Sequence, residues 1–231
     1  IEDTAHVISR FAKAFVIRTF SDDDVRRCAE TATVPVINAL TDGHHPCQSL
    51  ADLFTLREKR GDLAGLKLAY VGDGNNVVHS LLEACALTGT HIAVGTPEGF
   101  EPDATIVDQA RRIAQNTGAR IELTHDAAEA AADADALYAD VWLSMGDADA
   151  ERDRRFKALE PYRVDAALMS RAKRDAIFLH CLPQHRGEEV TAEVTDGPQS
   201  VVFDQAENRL HTAVAILHAL LVGSLEGARG N

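Results

Sequence analysis

The sequence predicts an α/β fold, in which parallel strands are covered by helices on both faces. Short apolar runs alternate with longer amphipathic segments along the 231 residues, a pattern typical of repeated strand–helix–strand units. Polar residues come directly at or after the ends of several apolar runs, as expected where the strand ends of a parallel sheet form a site. The predicted strands are Ala14–Phe20, Val34–Ala39, Lys67–Val71, His91–Val94, Arg120–Leu123, Ala136–Ala139, Ala176–His180 and Val201–Phe203.

Helix-start and helix-stop residues stand between these strands. Ser21 precedes three aspartates, the pattern of an N-cap followed by acidic residues in the first turn. Pro46 suits the first turn of a helix, and Gly118 is a usual helix stop. The predicted helices are Gln48–Arg60, Val77–Thr88, Asp103–Thr117, Ala127–Ala136 and Glu207–Leu221.

Two domains are expected, divided at the polar, glycine-containing segment 59–65. We predict a first domain over residues 1–59, a second over residues 60–206, and a C-terminal helix over residues 207–231 that packs back on the first domain. Apolar residues recur every three to four positions in that helix, which gives it one apolar face.

Composition narrows the function classes. The net charge of −13 comes from 23 basic and 36 acidic residues, and such a surface repels nucleic acid and anionic membranes. The sequence contains no run of 18 apolar residues and no visible signal peptide, so neither a transmembrane helix nor secretion is predicted. The four cysteines are scattered without a CxxC pair, which favours free thiols in a reducing, cytoplasmic compartment.

The segment Gly72-Asp73-Gly74-Asn75-Asn76 follows a predicted strand and opens a helix. Its glycines allow close backbone approach, and the Asn75 and Asn76 amides at a helix N-terminus suit a carboxylate. A dinucleotide fingerprint is disfavoured, because the third glycine is missing and Gly95-Thr96-Pro97 after the next strand offers no acidic residue for a ribose. A tight turn with an asparagine cap remains open.

The segment His45-Pro46-Cys47-Gln48 begins a helix. His45 and Gln48 are three residues apart, so both side chains can point at a single oxygen and polarise a carbonyl. A simple capped helix start is the alternative, and a zinc site built from His44, His45 and Cys47 lacks the usual ligand spacing. Arg18 lies in an otherwise apolar strand, which is costly unless it is paired or faces a ligand.

Two further strand ends carry reactive or polar side chains. Asp140 and Ser144 could both reach one ammonium group, with Met145 lining the floor, or the loop could bond only to its own backbone. Cys181 with His180 allows a nucleophile and base. Adjacent strand residues point to opposite faces, however, so a ligand contact by Cys181 fits better. A small buried cysteine is the remaining alternative.

Taken in order, the segments HPCQ, GDGNN, D-x-W-x-SMG, HCLP and Glu207-Asn208-Arg209 closely resemble those of the ornithine carbamoyltransferases. The resemblance covers the whole chain, and HCLP favours the ornithine enzymes over the related aspartate enzymes. The family's serine-threonine-arginine-threonine-arginine phosphate segment has no match here. The resemblance therefore implies two doubly wound parallel-sheet domains, the first incomplete at its N-terminus. Val141 stands where the family more often has threonine.

The resemblance implies transfer of a carbamoyl group from carbamoyl phosphate to the δ-amine of L-ornithine, without a cofactor or metal, in a homotrimer or a multiple of trimers. The residues implied for carbamoyl phosphate are Arg18, His45, Gln48 and Arg209. Those implied for ornithine are Asn75 and Asn76 at the carboxylate, Asp140, Ser144 and Met145 at the α-amino group, and Cys181 and Leu182 near the side-chain amine.

Three alternatives stay open at this point. A transcarbamoylase for another amine, such as putrescine or acetylornithine, would use the same chemistry. A non-catalytic binding module is favoured by the missing phosphate segment. A nicotinamide-dependent oxidoreductase is disfavoured by the imperfect glycine pattern.

Overall fold

The computed structural model describes residues 1–143 and 151–223. The strands in these ranges are β1 (Phe15–Arg18), β2 (Val36–Leu40), β3 (Lys67–Val71), β4 (His91–Gly95), β5 (Ile121–Thr124), β6 (Ala136–Ala139) and β7 (Ile177–His180). The helices are α1 (Glu2–Ile8), α2 (Asp22–Thr31), α3 (Pro46–Arg60), α4 (Asn76–Thr88), α5 (Ala104–Thr117), α6 (Ala127–Ala131), α7 (Arg152–Leu159), α8 (Ala166–Met169), α9 (Ala192–Thr195) and α10 (Val202–Val222).

Every pair of neighbouring strands among these seven is parallel, which confirms the predicted α/β class. β1 pairs with β2 in a small sheet, and the larger sheet has the order β5-β4-β3-β6-β7. The winding direction reverses at β3, because β4 pairs with one edge of this strand and β6 with the other. The carboxyl ends of β3 and β6 therefore form a topological switch point, where open α/β sheets bind their ligands.

The larger sheet is buried on both faces. In β3, Leu68 and Tyr70 point into a core shared with α3, α4 and α5, whereas Ala69 and Val71 point into a core shared with α6, α8 and α9. A strand covered on both sides needs apolar residues at every position, and this requirement explains the uninterrupted apolar run.

α3 connects the small sheet to the rest of the molecule. Leu53 and Leu56 of this helix belong to the core beneath the larger sheet. α10 packs along α3, where Asn208 Nδ2 donates to Thr55 Oγ1 at 3.0 Å and to Glu58 Oε2 at 2.6 Å. The predicted apolar face of α10 is largely exposed, so the contact with α3 is made mainly by polar residues. Among the described residues no helix, α10 included, has the length and apolarity needed to cross a membrane.

Two predicted elements are wrong in extent or type. The strand Val201–Phe203 is absent, because only Ser200 forms an isolated bridge with Phe178 and α10 already begins at Val202. The alanine-rich helix ends at Ala131, not Ala136, because Asp133 adopts a left-handed backbone (φ 56°) and turns the chain into β6. The remaining predicted strands and helices match to within a few residues.

Candidate active site

The switch point holds a compact polar group that we call the switch-point cluster: Asn75, Asp140 and Cys181. Asn75 is the N-cap of α4, and its Oδ1 accepts from the backbone N–H of Val77 at 3.0 Å. Its Nδ2 donates to Asp140 Oδ2 at 2.6 Å. The asparagine cap foreseen as an alternative is thus present, and the same side chain also orients the carboxylate that follows β6.

The glycine-rich turn before α4 is shaped by close backbone packing. Gly74 N–H donates to Phe100 O at 2.8 Å, and a Cβ at this position would lie 2.3 Å from the backbone nitrogen of Pro102. Only glycine fits there. The close approach expected for Gly74 is therefore made to the loop that precedes α5.

Cys181 completes the switch-point cluster by donating from Sγ to Asp140 Oδ1 at 2.9 Å. Burial, reinforced by the adjacent Asp140 carboxylate, raises the pKa of the Cys181 thiol well above its ordinary value. Because the thiolate is the nucleophilic form, a protonated Cys181 is suited to contacting a ligand and not to attacking one.

His180 turns away from Cys181 toward a buried acid. Its Nδ1 accepts from Leu182 N–H at 2.9 Å, so Nε2 carries the proton and faces Glu189 Oε1 at 3.2 Å. No direct hydrogen bond joins the His180 and Cys181 side chains among the described residues. Asp140, His180 and Cys181 do offer three potential metal-ligating atoms within 4.8 Å of one another.

A second polar group surrounds the start of α3. We call it the helix-start cluster: Arg18, His45, Gln48 and Arg209. His45 is the N-cap residue of α3, and its backbone N–H donates to Ser80 Oγ at 2.7 Å. Burial, together with the positive charges of Arg209 and Arg18, lowers the pKa of His45 to about 4. The imidazole is therefore neutral at physiological pH.

The other members of the helix-start cluster differ in their surroundings. Arg209 Nη1 donates to Gln48 Oε1, and Gln48 is buried. Arg18 ends β1 as an exposed residue, so the sequence argument from the cost of burying it is wrong. Arg18 has no hydrogen bond or ion pair within residues 1–143 and 151–223, so the pairing considered for this arginine is not made in this part of the chain.

The remaining predicted site residues lie beside these clusters. Asn76 is the first residue of α4, and its Nδ2 donates to Thr41 O at 2.7 Å, in the loop between β2 and α3. Leu182 follows Cys181 with a left-handed backbone (φ 59°) and packs against the core of α6, α8 and α9. Ser144 and Met145 lie outside the described residues.

Sequence reasoning missed the residues that join the two clusters. Asp52 of α3 is buried, and its Oδ1 accepts from Gln48 Nε2 at 2.7 Å and from Gln205 Nε2 at 2.6 Å. Gln205 Oε1 in turn accepts from His180 N–H at 2.8 Å. Burial raises the pKa of Asp52 to about 7. The available signal was an acidic residue one helical turn after Gln48 and flanked by the apolar Ala51 and Leu53.

Arg155 was also missed. Its Nε donates to Trp142 O at 2.7 Å, and its Nη2 donates to Asp73 Oδ2. It thereby ties the glycine-rich turn after β3 to the segment after Asp140. Its sequence neighbours, a run of charged residues, resemble an ordinary solvated helix face, so no local pattern pointed to it.

Two family models match the chain. The aspartate/ornithine carbamoyltransferase carbamoyl-P binding domain matches residues 1–58, and the aspartate/ornithine carbamoyltransferase Asp/Orn binding domain matches residues 64–220.

Curated relatives and solved structures agree with this match. The ornithine carbamoyltransferase of Acidothermus cellulolyticus is 54% identical over 230 residues, covering 100% of this chain and 73% of the relative. That of Parafrankia sp. is 58% identical over 221 residues, covering 96% of this chain and 69% of the relative. The structure of the Pyrococcus furiosus ornithine carbamoyltransferase is 50% identical with a TM-score of 0.93, covering 96% of this chain and 71% of that one. The structure of the Gloeobacter violaceus ornithine carbamoyltransferase is 52% identical with a TM-score of 0.89, covering 95% of this chain and 74% of that one.

Proposed function

Since the chain belongs to the aspartate/ornithine carbamoyltransferase family, we propose that it transfers the carbamoyl group of carbamoyl phosphate to the δ-amine of L-ornithine, giving citrulline and phosphate. The observation that carries this proposal is the opposite charge of the two clusters. The helix-start cluster contains two guanidinium groups, whereas the switch-point cluster contains a carboxylate. An anionic carbamoyl donor and a cationic amino acid need two such surfaces.

The helix-start cluster is suited to the electrophile. Arg18 and Arg209 supply positive charge for the phosphate and for the oxyanion that forms when the carbonyl is attacked. The N-terminus of α3 adds a partial positive charge at the same place. His45, with its lowered pKa, contributes as a neutral imidazole that can donate one hydrogen bond to the carbonyl oxygen.

The switch-point cluster is suited to the nucleophile. Asp140 attracts the α-amino group of ornithine, and Asn76 at the start of α4 offers an amide to its carboxylate. The Cys181 thiol lies beside Asp140, near the position assigned to the side-chain amine.

The reaction itself needs a neutral amine. Its nitrogen bonds to the carbonyl carbon, the tetrahedral intermediate expels phosphate by cleaving the carbon–oxygen bond, and the nitrogen loses a proton. An alkylamine with a pKa of about 10.4 requires roughly 4.6 kcal/mol to be neutral at pH 7. We therefore expect the rate to rise with pH into the alkaline range.

The test is citrulline formation by the full-length protein supplied with carbamoyl phosphate and L-ornithine between pH 6 and 9. Activity that increases with pH is expected. Absence of citrulline, or a flat profile over this range, would contradict the proposal.

A substrate panel separates ornithine from putrescine and acetylornithine. Asn76→Ala should lower kcat/KM for ornithine by about tenfold, the loss of one hydrogen bond to a charged group, but leave putrescine, which has no carboxylate, nearly unchanged. Asn116→Ala, at an exposed site on α5, is the matched control. Equal losses for both amines would remove the assigned role of Asn76.

The homotrimer expected from the family stays a prediction. Light scattering of the purified full-length protein would measure it, and a stable monomer would contradict it.

A further inference from the structure

Asp52 is a buried acid at the meeting point of three elements. It lies on α3, 1% exposed, and receives hydrogen bonds from Gln48 on the same helix and from Gln205 on α10. Gln205 continues the contact to the backbone of His180 at the end of β7. The carboxylate therefore stands between the helix-start cluster and the strand end that carries Cys181, yet it is too deeply buried to touch a substrate.

The orientation of both amides follows from their outer partners. The guanidinium of Arg209 and the backbone N–H of His180 are donors only, so each glutamine must turn its oxygen toward them. Each glutamine then presents its NH2 group inward, and an acceptor must receive it. Both amides reach the same oxygen, Asp52 Oδ1, so this single acceptor satisfies both at once.

We propose that Asp52 is a positioning residue, which holds the Gln48 oxygen against Arg209 and the Gln205 oxygen against the end of β7. This inference rests on the proposed carbamoyl transfer, because Arg209 belongs to the electrophile side of that reaction and the end of β7 leads to Cys181 on the amine side. Arg209 is the member of the helix-start cluster that comes from α10, and Gln48 is its anchor on α3.

Asp52→Leu tests the proposal with a side chain of similar shape that cannot accept a hydrogen bond. The Gln48 and Gln205 amides then both lose their acceptor, so we expect kcat for citrulline formation to fall about tenfold or more, as buried unpaired groups cost about 1–3 kcal/mol.

A second variant, Asp52→Asn, should keep the network. The asparagine oxygen can take the place of Oδ1 and accept from both amides, and its NH2 takes the place of Oδ2, which has no hydrogen-bond partner among the described residues. The kcat of Asp52→Asn should therefore lie within about threefold of the wild-type value.

The measurement is kcat of the wild type, Asp52→Leu and Asp52→Asn in the full-length protein, together with their melting temperatures. Asp108→Asn, at an exposed site on α5, is the control and should leave both quantities unchanged. Wild-type kcat in Asp52→Leu would overturn the proposal. So would an Asp52→Asn variant that loses as much kcat as Asp52→Leu, because the retained oxygen would then not be what positions the two glutamines.

Failure of the proposed function gives a different result. A wild type that makes no citrulline contradicts the reaction and, with it, the catalytic purpose of the positioning. The network itself is still measured in that case, because the melting temperature of Asp52→Asn should exceed that of Asp52→Leu.

Discussion

The two polar clusters differ in how they are stabilised. In the switch-point cluster the carboxylate is held from both sides, since Asn75 donates to one oxygen of Asp140 and Cys181 to the other. In the helix-start cluster burial, and after it two arginines, oppose the protonation of His45. Gln48 holds Arg209 there, but Arg18 has no hydrogen-bond partner in the described residues, so the cluster keeps positive charge that favours a bound anion. We therefore expect the amine side to be shaped before binding and Arg18 to be ordered by the phosphate-bearing substrate.

Removing the acid of the switch-point cluster should have the largest effect. Asp140→Asn keeps the shape but loses the charge, so kcat/KM for ornithine should fall by about 10³-fold, equivalent to roughly 4 kcal/mol for a buried charged partner. Carbamoyl phosphate binding, measured by calorimetry, should change by less than about twofold, because the helix-start cluster stays intact. Glu122→Gln, an exposed acid on β5, is the control. A loss of carbamoyl phosphate binding in Asp140→Asn would erase the distinction between the clusters.

Removing one cation of the helix-start cluster should have the second largest effect. Arg18→Ala is expected to lower kcat about 10²-fold, as for the loss of one positioned donor to an oxyanion. Arg18 is exposed and ends its strand, so the melting temperature should hardly change. Arg26→Ala, an exposed arginine on α2, is the matched variant. Unchanged turnover in Arg18→Ala would take this residue out of the site.

The lowered pKa of His45 predicts a pH-dependent stability. The folded state binds a proton on this imidazole less readily than the unfolded chain, so His45 stabilises the fold fully above pH 6.5, and this contribution is lost as the pH falls toward 4. The difference in the free energy of unfolding between wild type and His45→Gln should therefore rise by on the order of 2 kcal/mol from pH 4.5 to 6.5 and then level off. Urea denaturation measures it, with His218→Gln as the exposed control. A difference that is independent of pH would mean that neither burial nor the arginines lower the pKa of His45.

Cys181 should give the smallest effect. Its raised pKa keeps it a thiol, and a serine hydroxyl can donate to Asp140 in the same way, so Cys181→Ser should retain activity within about fivefold. Steady-state kinetics with ornithine measures this. A loss of 10³-fold or more would instead support a nucleophilic thiolate.

Much of the fold could be predicted because local patterns were decisive. The strands Lys67–Val71 and Ala136–Ala139 are apolar almost throughout, and burial on both faces demands this. The segment Val201–Phe203 was wrongly predicted to be a strand, because three apolar residues do not distinguish a strand from the first turn of a helix. In the structure Val202 is buried and Phe203 is 69% exposed.

The candidate site could be predicted where it depends on strand ends, and not where it depends on distant partners. Asn75, Asp140 and Cys181 each follow a strand or open a helix, so parallel topology was enough to bring them together. The bond between Asp52 and Gln205 joins residues that are 153 positions apart. No local sequence pattern near either residue predicts the other as its partner, because their contact depends on the packing of α10 along α3.

The central claim is that the helix-start cluster binds carbamoyl phosphate while the switch-point cluster binds ornithine in the same site. Its most direct test is calorimetry with a compound in which a phosphonoacetyl group is attached to the δ-nitrogen of ornithine, so that one ligand reaches both clusters. We expect the full-length wild type to bind it more tightly than either substrate, and Arg18→Ala and Asp140→Asn each to weaken binding by about 10²-fold or more. Wild-type affinity in either variant would contradict the account.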